Sequence, residues 1–524
     1  MNIGVLLSST NITRFYSELL KSLEQRQGID LFFLIESPIQ EKKKKDTNDY
    51  RLFASYLKVE KKIFGVSDYP LDYVKMDSDN DRNIHIETKK NGLYTILANK
   101  QELDKVKRLN IDLFIRVGWG IIGGAILDLS RFGIWSLHHG DNDFYRGKPS
   151  LFWEFYEGQT TVGCILQKLN KTLDGGEVID KITLGVNRFS ITRTYYNLYY
   201  KSLEMILLNL DYLIANQELP KNNFSEGLFY SNHLYKVPNI RQQLVLISKL
   251  VFRNFQRKVF NRSQAVWMLS FAKAEHRFLL YKYKPILNRK GFFTADPFVI
   301  ARGDKHYVFY EEAHIRSGKG HIGFMNLENL SERGVALQED FHLSFPFLFN
   351  DHGRLYMIPE TRGVNEIRLY ECTEFPHEWK LSKVLMKDVS AVDTVLHKVD
   401  GLYFLFTSIS RNEKLNNADN LYVFWSNSLV DEFQPVGKGV FLKDVRGGRN
   451  AGSIFRYKRD WYRVAQNGSG GYGAGLNLYK ITELSKENYK EVLQQSVSPN
   501  FNFKVNGLHS FNFNEKYAVI DVLQ

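Results

Sequence analysis

The first half of the chain alternates short apolar runs with segments whose apolar residues recur at helical spacing. The apolar runs that predict buried strands lie at 2–8, 30–35, 111–117, 133–137 and 161–169. The segments with helical spacing lie at 12–25, 97–109 and 192–215. Strands that alternate with helices are typical of a parallel sheet covered by helices. The pattern therefore predicts a Rossmann-like α/β domain over residues 1–220, a normal length for one domain.

Residues 221–288 break this pattern and predict a helical linker. Its main element is the basic segment Arg241–Phe260, whose apolar side carries Leu244, Ile247, Leu250, Val251 and Phe255. A helix of this kind either packs against a neighbouring domain or lies on an acidic membrane surface, here the inner membrane face. The pattern alone leaves both interpretations open.

From Phe292 onward helical spacing fades, and one strand pattern recurs five times. Each unit has an apolar strand, a turn with Gly, Asp or Asn, and an aromatic-rich strand. In order along the chain, the five segments that show this pattern are ADPFVIARGDKHYVFYEE, FPFLFNDHGRLYMIPE, VDTVLHKVDGLYFLFTS, NAGSIFRYKRDWYRVAQN and GLHSFNFNEKYAVIDV. Small sheets repeated about every 50 residues are typical of propellers. The sequence predicts an all-β C-terminal domain over 289–524, a five-bladed β-propeller, with an irregular β-sandwich as the alternative.

Composition narrows the range of partners and compartments. Seventy Lys and Arg against 58 Asp and Glu give a net charge of +12, which favours phosphates, nucleotides or an acidic membrane surface. The basic residues are spread out, so we expect no specific nucleic-acid partner. With Cys164 and Cys372 as the only cysteines, a disulfide framework is excluded, and no Cys/His cluster has zinc spacing, so we expect no metal. The N-terminus does not resemble a signal peptide, and we expect a cytoplasmic protein.

Chemistry-bearing residues are concentrated between 111 and 181. His138 and His139 follow a predicted strand directly, and α/β sheets place their sites at the carboxyl ends of strands. Asp141 and Arg146 lie in the next loop, and Asp174 lies in a tight turn after a later strand. A histidine and a carboxylate at strand ends can form an acid–base pair. A histidine held by structural contacts is the alternative.

Five short motifs in this segment stand in a fixed order. They are Ser136-Leu137-His138-His139-Gly140, Tyr145-Arg146-Gly147, Trp153 with Glu157-Gly158, Thr161-Val162-Gly163 and Leu173-Asp174-Gly175-Gly176. Their order and spacing resemble the catalytic domain of the formyltransferase family, which includes methionyl-tRNA formyltransferase and the sugar N-formyltransferases. The resemblance covers about residues 1–200 and is densest over 111–180.

The resemblance implies that a formyl group passes from 10-formyltetrahydrofolate, bound as donor substrate, to an amine. His138 would donate a hydrogen bond or a proton to the oxyanion, and Asp174 would keep the imidazolium charged and help relay the proton of the amine. A glycine-rich turn after the strand at 111–117 would form part of the pterin pocket. The residues implied at the donor are Gly118, Trp119, Gly120, Ile121, Asp141 and Arg146.

The chain departs from the family motif at two positions. Ser136 stands where the family has an oxyanion-binding Asn, and His139 replaces a Pro. A hydroxyl donates one hydrogen bond from a shorter arm than an amide, and losing one oxyanion donor typically costs about 2.7–4 kcal/mol of barrier. Three interpretations stay open: His139 supplies the missing donor, the acyl donor differs, or the domain binds without catalysing.

The predicted propeller carries its own set of polar residues near the ends of inner strands. We expect them to meet in one axial funnel: Asp296, Glu312, Glu360, Asp393, Arg449 and His509. This half resembles the propeller-like domain of glucosamine inositolphosphorylceramide transferases, and also the five-bladed, family-43-type glycoside hydrolases that use a carboxylate base and a carboxylic acid. The alternative is that these acids cap turns or form structural ion pairs with nearby arginines.

Together these features lead to one main hypothesis and two alternatives. The main hypothesis is a formyltransferase that modifies a nucleotide-linked amino sugar for cell-surface polysaccharide, with the propeller binding the glycan. The first alternative makes the propeller a glycan hydrolase or glycosyltransferase that uses Asp296, Glu360 and Asp393. The second is a non-catalytic carbohydrate-binding scaffold with peripheral membrane contact through Arg241–Phe260.

Overall fold

A computed structural model of the chain describes residues 1–39, 50–76, 82–172, 175–220, 230–260, 265–410, 419–502 and 504–524. The chain forms two compact units, Met1–Phe260 (unit 1) and Asn261–Gln524 (unit 2). Among the described residues no helix is both long enough and apolar enough to cross a membrane.

Unit 1 is built from thirteen strands and six α-helices in its described part, with a short 3-10 helix at Ala125–Asp128. The strands are β1 Asn2–Leu7, β2 Asn11–Thr13, β3 Asp30–Pro38, β4 Tyr73–Lys75, β5 Asn83–Asn91, β6 Tyr94–Leu97, β7 Leu113–Arg116, β8 Ile121–Ile122, β9 Ile134–His138, β10 Arg146–Gly147, β11 Thr161–Lys168, β12 Glu177–Gly185 and β13 Leu234–Tyr235. The helices are α1 Arg14–Glu24, α2 Arg51–Ile63, α3 Lys100–Lys107, α4 Phe152–Glu157, α5 Ile191–Asn216 and α6 Ile240–Phe260.

Nine of these strands form one sheet in the order β12-β11-β9-β7-β1-β3-β5-β6-β8. Its centre is parallel: β1 pairs with β3 and β7, and β7 pairs with β9. At one side β11 and β12 run antiparallel. Because β7 and β9 are parallel neighbours, their carboxyl ends meet at the same edge of the sheet. The predicted Rossmann-like fold is confirmed.

Helix α6 packs against α2 and α4 with only part of its apolar surface. Leu246 and Leu250 are fully buried, whereas Leu244, Val251 and Phe255 are more than half exposed. The helix is therefore anchored to unit 1 through one face, and a row of its apolar side chains stays accessible.

Unit 2 consists almost entirely of strands. They are β14 Trp267–Lys273, β15 Lys284–Pro285, β16 Phe292–Arg302, β17 Lys305–His314, β18 Gly320–Asn326, β19 Arg333–Leu337, β20 Ser344–Asp351, β21 Arg354–Glu360, β22 Ile367–Glu374, β23 Glu378–Met386, β24 Ala391–Val399, β25 Leu402–Ile409, β26 Asn420–Ser426, β27 Gln434–Lys443, β28 Phe455–Tyr457, β29 Asp460–Gln466, β30 Leu476–Leu484, β31 Tyr489–Val497, β32 Gly507–Phe513 and β33 Tyr517–Leu523. They form five four-stranded sheets, four from consecutive strands and a fifth in the order β15-β14-β33-β32. The predicted five-bladed propeller is confirmed.

The fifth blade joins the two ends of unit 2. Strand β14 pairs antiparallel with β33, from Trp267 opposite Leu523 to Lys273 opposite Tyr517. Pairing the first strand with the last protects the edges of the blade and closes the ring. Strands β14 and β15 both precede residue 289, so the propeller begins inside the segment expected to be a helical linker.

Candidate functional site

The carboxyl edge of the unit 1 sheet brings together a guanidinium, a hydroxyl and an imidazole. Arg116 ends β7, and its Nη1 donates a hydrogen bond of 2.9 Å to Ser136 Oγ on β9. Its Nε donates to the carbonyl oxygen of Gly120 at 2.9 Å. His138 lies two residues beyond Ser136 on the same strand, so the two side chains share a face of the sheet. Sequence reasoning missed Arg116, whose only signal was a charge at the end of an apolar strand.

The two adjacent histidines have different surroundings. His138 Nε2 lies 3.2 Å from the carbonyl oxygen of Tyr145. His139 stacks on Tyr199 of α5 with ring centroids 3.8 Å apart, and its Nε2 lies 3.0 Å from Ser202 Oγ. Burial, with a smaller contribution from His138, lowers the pKa of His139 to about 3. At neutral pH His139 is therefore an uncharged ring held against α5.

The acidic partner expected for His138, Asp174, lies outside the described residues, as does Leu173 of the same motif. Two other expected site residues follow β9, Asp141 in the loop and Arg146 at the start of β10. Asp141 Oδ1 accepts a hydrogen bond from Lys181 Nζ at 2.7 Å. Arg146 donates from Nε to the carbonyl oxygen of Asn142 at 2.8 Å. Both side chains are thus engaged with neighbours in the chain.

The glycine-rich turn after β7 packs mainly on the chain itself. A Cβ added at Gly118 would lie 2.3 Å from the backbone nitrogen of Ser8, so this glycine is required by an internal contact. Trp119 is fully buried, and its Nε1 donates to the carbonyl oxygen of Leu7 at 3.0 Å. Gly120 and Ile121 are exposed, and they are the part of the turn open to a flat heterocycle.

A buried carboxyl group lies beside His139 in a small pocket that the sequence did not indicate. Glu154 of α4 is 2% exposed, and its Oε1 has no hydrogen-bond partner among the described residues. Burial raises the pKa of Glu154 to about 7, and the nearby acids Glu157 and Asp141 add to the rise. Tyr145, Arg146, Ser150 and Trp153 line the same pocket.

Unit 2 holds a larger cavity of about 320 Å³. Its lining consists of Trp267, Phe293, Ala295, Asp296, Glu311, His342, Ser344, Glu360, Asp393, Arg449, Tyr472 and His509. Five of the six residues expected in an axial funnel are among them. This volume is near the lower end of the range for small-molecule sites, about 300–1,000 Å³.

Bulges at the start of the inner strands place three of these side chains. The pairing register shifts after Ala295, Val392 and Leu508, which leaves extra residues at Asp296, Asp393 and His509. Asp296 and Asp393 have left-handed backbones with φ of 51° and 52°. A bulge re-aims a side chain that regular pleating would place elsewhere, and here it directs two acids and an imidazole into one cavity.

Glu311 lines the cavity in place of the expected Glu312. Successive residues of a strand point to opposite faces, so only one of this pair on β17 can face the axis. Glu312 lies on the other face, where Arg289 Nε donates to it at 3.0 Å and His321 Nε2 lies 3.2 Å away. Glu311 is buried and lies 3.5 Å from His342 Nε2.

One side of the cavity carries an arginine–carboxylate pair beside a second acid. Arg449 Nε donates to Asp393 Oδ2 at 2.7 Å, and Gln466 Nε2 donates to the same oxygen at 3.1 Å. Burial and the neighbouring Asp393 raise the pKa of Glu360 to about 8. Arg449 therefore forms a structural ion pair with one of the expected funnel acids. Arg446 pairs instead with Asp444.

At the base of the cavity an imidazole lies between two carboxylates. His509 Nε2 is 3.1 Å from Asp296 Oδ1, and Nδ1 is 3.0 Å from Asp521 Oδ1. The two carboxylates outweigh burial and raise the pKa of His509 to about 10. The ligand atoms of these three residues lie within 4.8 Å of one another, a spacing that a cation also accepts. A carboxylate at each ring nitrogen is the arrangement that a protonated histidine requires.

Comparisons with known proteins address each half. Residues 287–524 match the family model described as "Glucosamine inositolphosphorylceramide transferase 1, N-terminal". The protein of that name from Oryza sativa subsp. japonica is 36% identical over 206 residues, which are 38% of this chain and 28% of that protein. The methionyl-tRNA formyltransferase of Prochlorococcus marinus (strain MIT 9312) is 32% identical over 102 residues, 19% of this chain and 31% of that enzyme.

Among solved structures, a sugar N-formyltransferase from Shewanella sp FDAARGOS_354 aligns with a TM-score of 0.29 and 10% identity, covering 48% of this chain and 87% of that one. The chain spans less than a third of the length of the two relatives described above. Both relatives are named as transferases. Both resemblances predicted from the sequence are therefore confirmed: the chain is similar to formyltransferases, and its propeller matches the N-terminal family of glucosamine inositolphosphorylceramide transferases.

Proposed function

We propose that this chain transfers the formyl group of 10-formyltetrahydrofolate to the amine of a nucleotide-linked amino sugar destined for cell-surface polysaccharide. The observation that carries the proposal is the group of polar side chains at the carboxyl edge of the unit 1 sheet, where Arg116, Ser136 and His138 lie on neighbouring strands. The same edge follows the motif order of formyltransferases, and sequence similarity to methionyl-tRNA formyltransferases supports it.

The residues of this edge fit a formyl donor in part. When bound, the donor supplies the formyl carbon, whose oxygen gains negative charge as the amine attacks. Gly120 and Ile121 present exposed backbone that a pterin ring can approach. His138 is placed to donate from its ring to the charged oxygen or to move a proton from the amine.

Arg116 offers a replacement for the oxyanion-binding Asn that the family has at the position of Ser136. Ser136 Oγ accepts a hydrogen bond from the guanidinium, so its own proton is free to point elsewhere. A guanidinium next to this hydroxyl adds positive charge at the position where the family uses a neutral amide. His139, by contrast, is held by Tyr199 and Ser202, which makes it a poor substitute for the missing donor.

The test is a formyl-transfer assay with a panel of nucleotide-linked amino sugars. His138→Asn should lower kcat by about 100- to 10,000-fold, the usual contribution of a general acid–base group, and Asp174→Asn tests the role implied by the family motif. His85→Asn, an exposed histidine of the same unit, is the control and should keep full activity. Product from no substrate, or equal rates from wild type and His138→Asn, would reject the proposal.

A second candidate function is supported by the propeller cavity. Glu360, with a pKa of about 8, lies near Asp393, whose charge Arg449 stabilises. A protonated acid beside an ionised one is the pairing used in glycoside chemistry, and relatives of this unit are named as glucosamine inositolphosphorylceramide transferases. Glycan turnover that is lost in Glu360→Gln and Asp393→Asn but kept in Glu312→Gln would favour this candidate. Turnover that is unchanged in all three would exclude it.

A further inference from the structure

The propeller cavity contains more acids than cations, although the chain as a whole is basic. Four carboxyl side chains face it: Asp296, Glu311, Glu360 and Asp393. The cations on its wall are Arg449 and the protonated His509. In a chain with a net charge of +12, an acidic pocket is a local feature that calls for a ligand of opposite charge.

Two of the four acids have a cationic partner and two do not. Arg449 pairs with Asp393 at 2.7 Å, and His509 lies 3.1 Å from Asp296. The carboxyl group of Glu360 forms no hydrogen bond or ion pair with the described residues. The nearest partner of Glu311 is His342 at 3.5 Å, and burial lowers the pKa of that imidazole, so it is uncharged at neutral pH.

Glu311 and Glu360 are costly to ionise unless a cation lies beside them. Burial raises the pKa of Glu311 well above its ordinary value, with Asp296, Glu360 and Asp521 adding to the rise and His509 opposing it. For Glu360, burial, Asp393 and Asp296 raise the pKa to about 8, and Arg449 and Arg362 oppose the rise. A cation placed between the two glutamates would remove this cost.

The other residues that line the cavity indicate which kind of molecule bears the cationic group. Trp267 and Tyr472 stand beside His509, with ring centroids 4.3 and 4.9 Å from the imidazole, and Tyr472 is largely exposed. Ser344 and Arg449 add polar groups to the same lining. Aromatic faces with a few convergent polar atoms suit a small polyhydroxylated ring.

We propose that the propeller cavity binds a sugar with a free, protonated amine, its ammonium group between Glu311 and Glu360 and its ring against Trp267 and Tyr472. The choice of an amino sugar agrees with the proposed function and rests on it only for the class of sugar. On binding, the carboxylic O–H bond of Glu311 breaks and its proton passes to the buffer. The ammonium group keeps its three protons and forms a salt bridge with the resulting carboxylate.

Isothermal titration of the full chain with glucosamine, N-acetylglucosamine and glucose tests this inference. In slightly acidic solution, glucosamine should bind at least about tenfold more tightly than either neutral sugar, and titrations in two buffers of different ionisation enthalpy should show net proton release. Equal affinities, no detectable glucosamine binding at millimolar concentration, or binding without proton release would overturn it. No formyl donor is present, so the result does not depend on formyl transfer.

A matched pair of variants locates the ammonium group. Glu311→Gln should lower glucosamine affinity at least about tenfold and reduce proton release, while the weak affinity for glucose stays unchanged. Glu312→Gln alters the neighbouring residue on the opposite face of β17 and should keep wild-type binding. Equal effects of the two variants would place the ammonium elsewhere and refute the assignment. Because the comparison of three sugars uses the wild-type chain, it stands even if a variant fails to fold.

Discussion

Replacing His509 by Gln should remove a large, pH-dependent part of the stability of the propeller. The folded protein raises the pKa of this imidazole from 6.5 to about 10 because Asp296 and Asp521 flank the ring. Each pKa unit is worth about 1.4 kcal/mol, so the full rise corresponds to about 5 kcal/mol. A raised histidine pKa contributes stability that is fully present below pH 6.5 and is lost as the pH rises through about 10.

Urea unfolding between pH 6.5 and 9, followed by pulse proteolysis and peptide mapping, measures this contribution for each unit separately. Over that range His509 should make the unfolding free energy of wild-type unit 2 fall by about 1.4 kcal/mol per pH unit. Glu360 titrates in the same range, so the decisive quantity is the difference in slope between wild type and His509→Gln.

The control for this experiment is His397→Gln. Burial lowers the pKa of His397 to about 4, so this imidazole is neutral throughout the range and its loss should leave the slope unchanged. Parallel pH profiles for wild type and His509→Gln would show that His509 is not a buried cation, and the charge assignment of the cavity would be wrong.

Three further predictions concern stability. Glu154→Gln should stabilise unit 1 at pH 8 but not at pH 4, by up to about 3 kcal/mol, because a buried carboxyl with a pKa of about 7 costs stability as it ionises; a pH-independent effect in urea unfolding would contradict this. Arg463→Met should cost about 3–5 kcal/mol because it leaves Glu491 buried without its cation, and adding Glu491→Leu should recover most of the loss, as thermal unfolding can show. Gly147→Ala should destabilise unit 1 more than Gly158→Ala. Both glycines have positive φ, but a Cβ at Gly147 would meet the backbone of β13, whereas one at Gly158 meets nothing within 4 Å; equal losses would contradict that explanation.

The sequence predicted the architecture because both halves repeat local patterns. Apolar runs and helical spacing are properties of neighbouring residues, and five similar strand units point to a ring. The closing strand β14 was not predicted because its partner β33 lies at the far end of the chain. Its apolar run gives no sign of which strand it pairs with, and so the propeller starts before the expected boundary.

The site could be predicted less completely. It depends on which residues of a strand face the cavity and on contacts between strands that are separated in the sequence. Period-two alternation places one of Glu311 and Glu312 on the axis, but the strand pattern alone does not say which. The contact between Arg116 and Ser136 joins parallel neighbours β7 and β9, which are separated in the sequence by the glycine-rich turn and β8. The position of His138 at the edge of the sheet could be predicted from its place at a strand end, because parallel sheets gather their carboxyl ends at one edge.

The most direct test of the formyl-transfer proposal follows the fate of a single labelled carbon. The full chain is mixed with 10-formyltetrahydrofolate that carries ¹³C in its formyl group and with a nucleotide-linked amino sugar, and the products are read by NMR. We predict that a ¹³C formamide signal appears on the sugar with wild-type protein and is strongly reduced with His138→Asn. If the label never reaches a sugar nitrogen, or reaches it equally well without the imidazole, unit 1 does not perform this reaction.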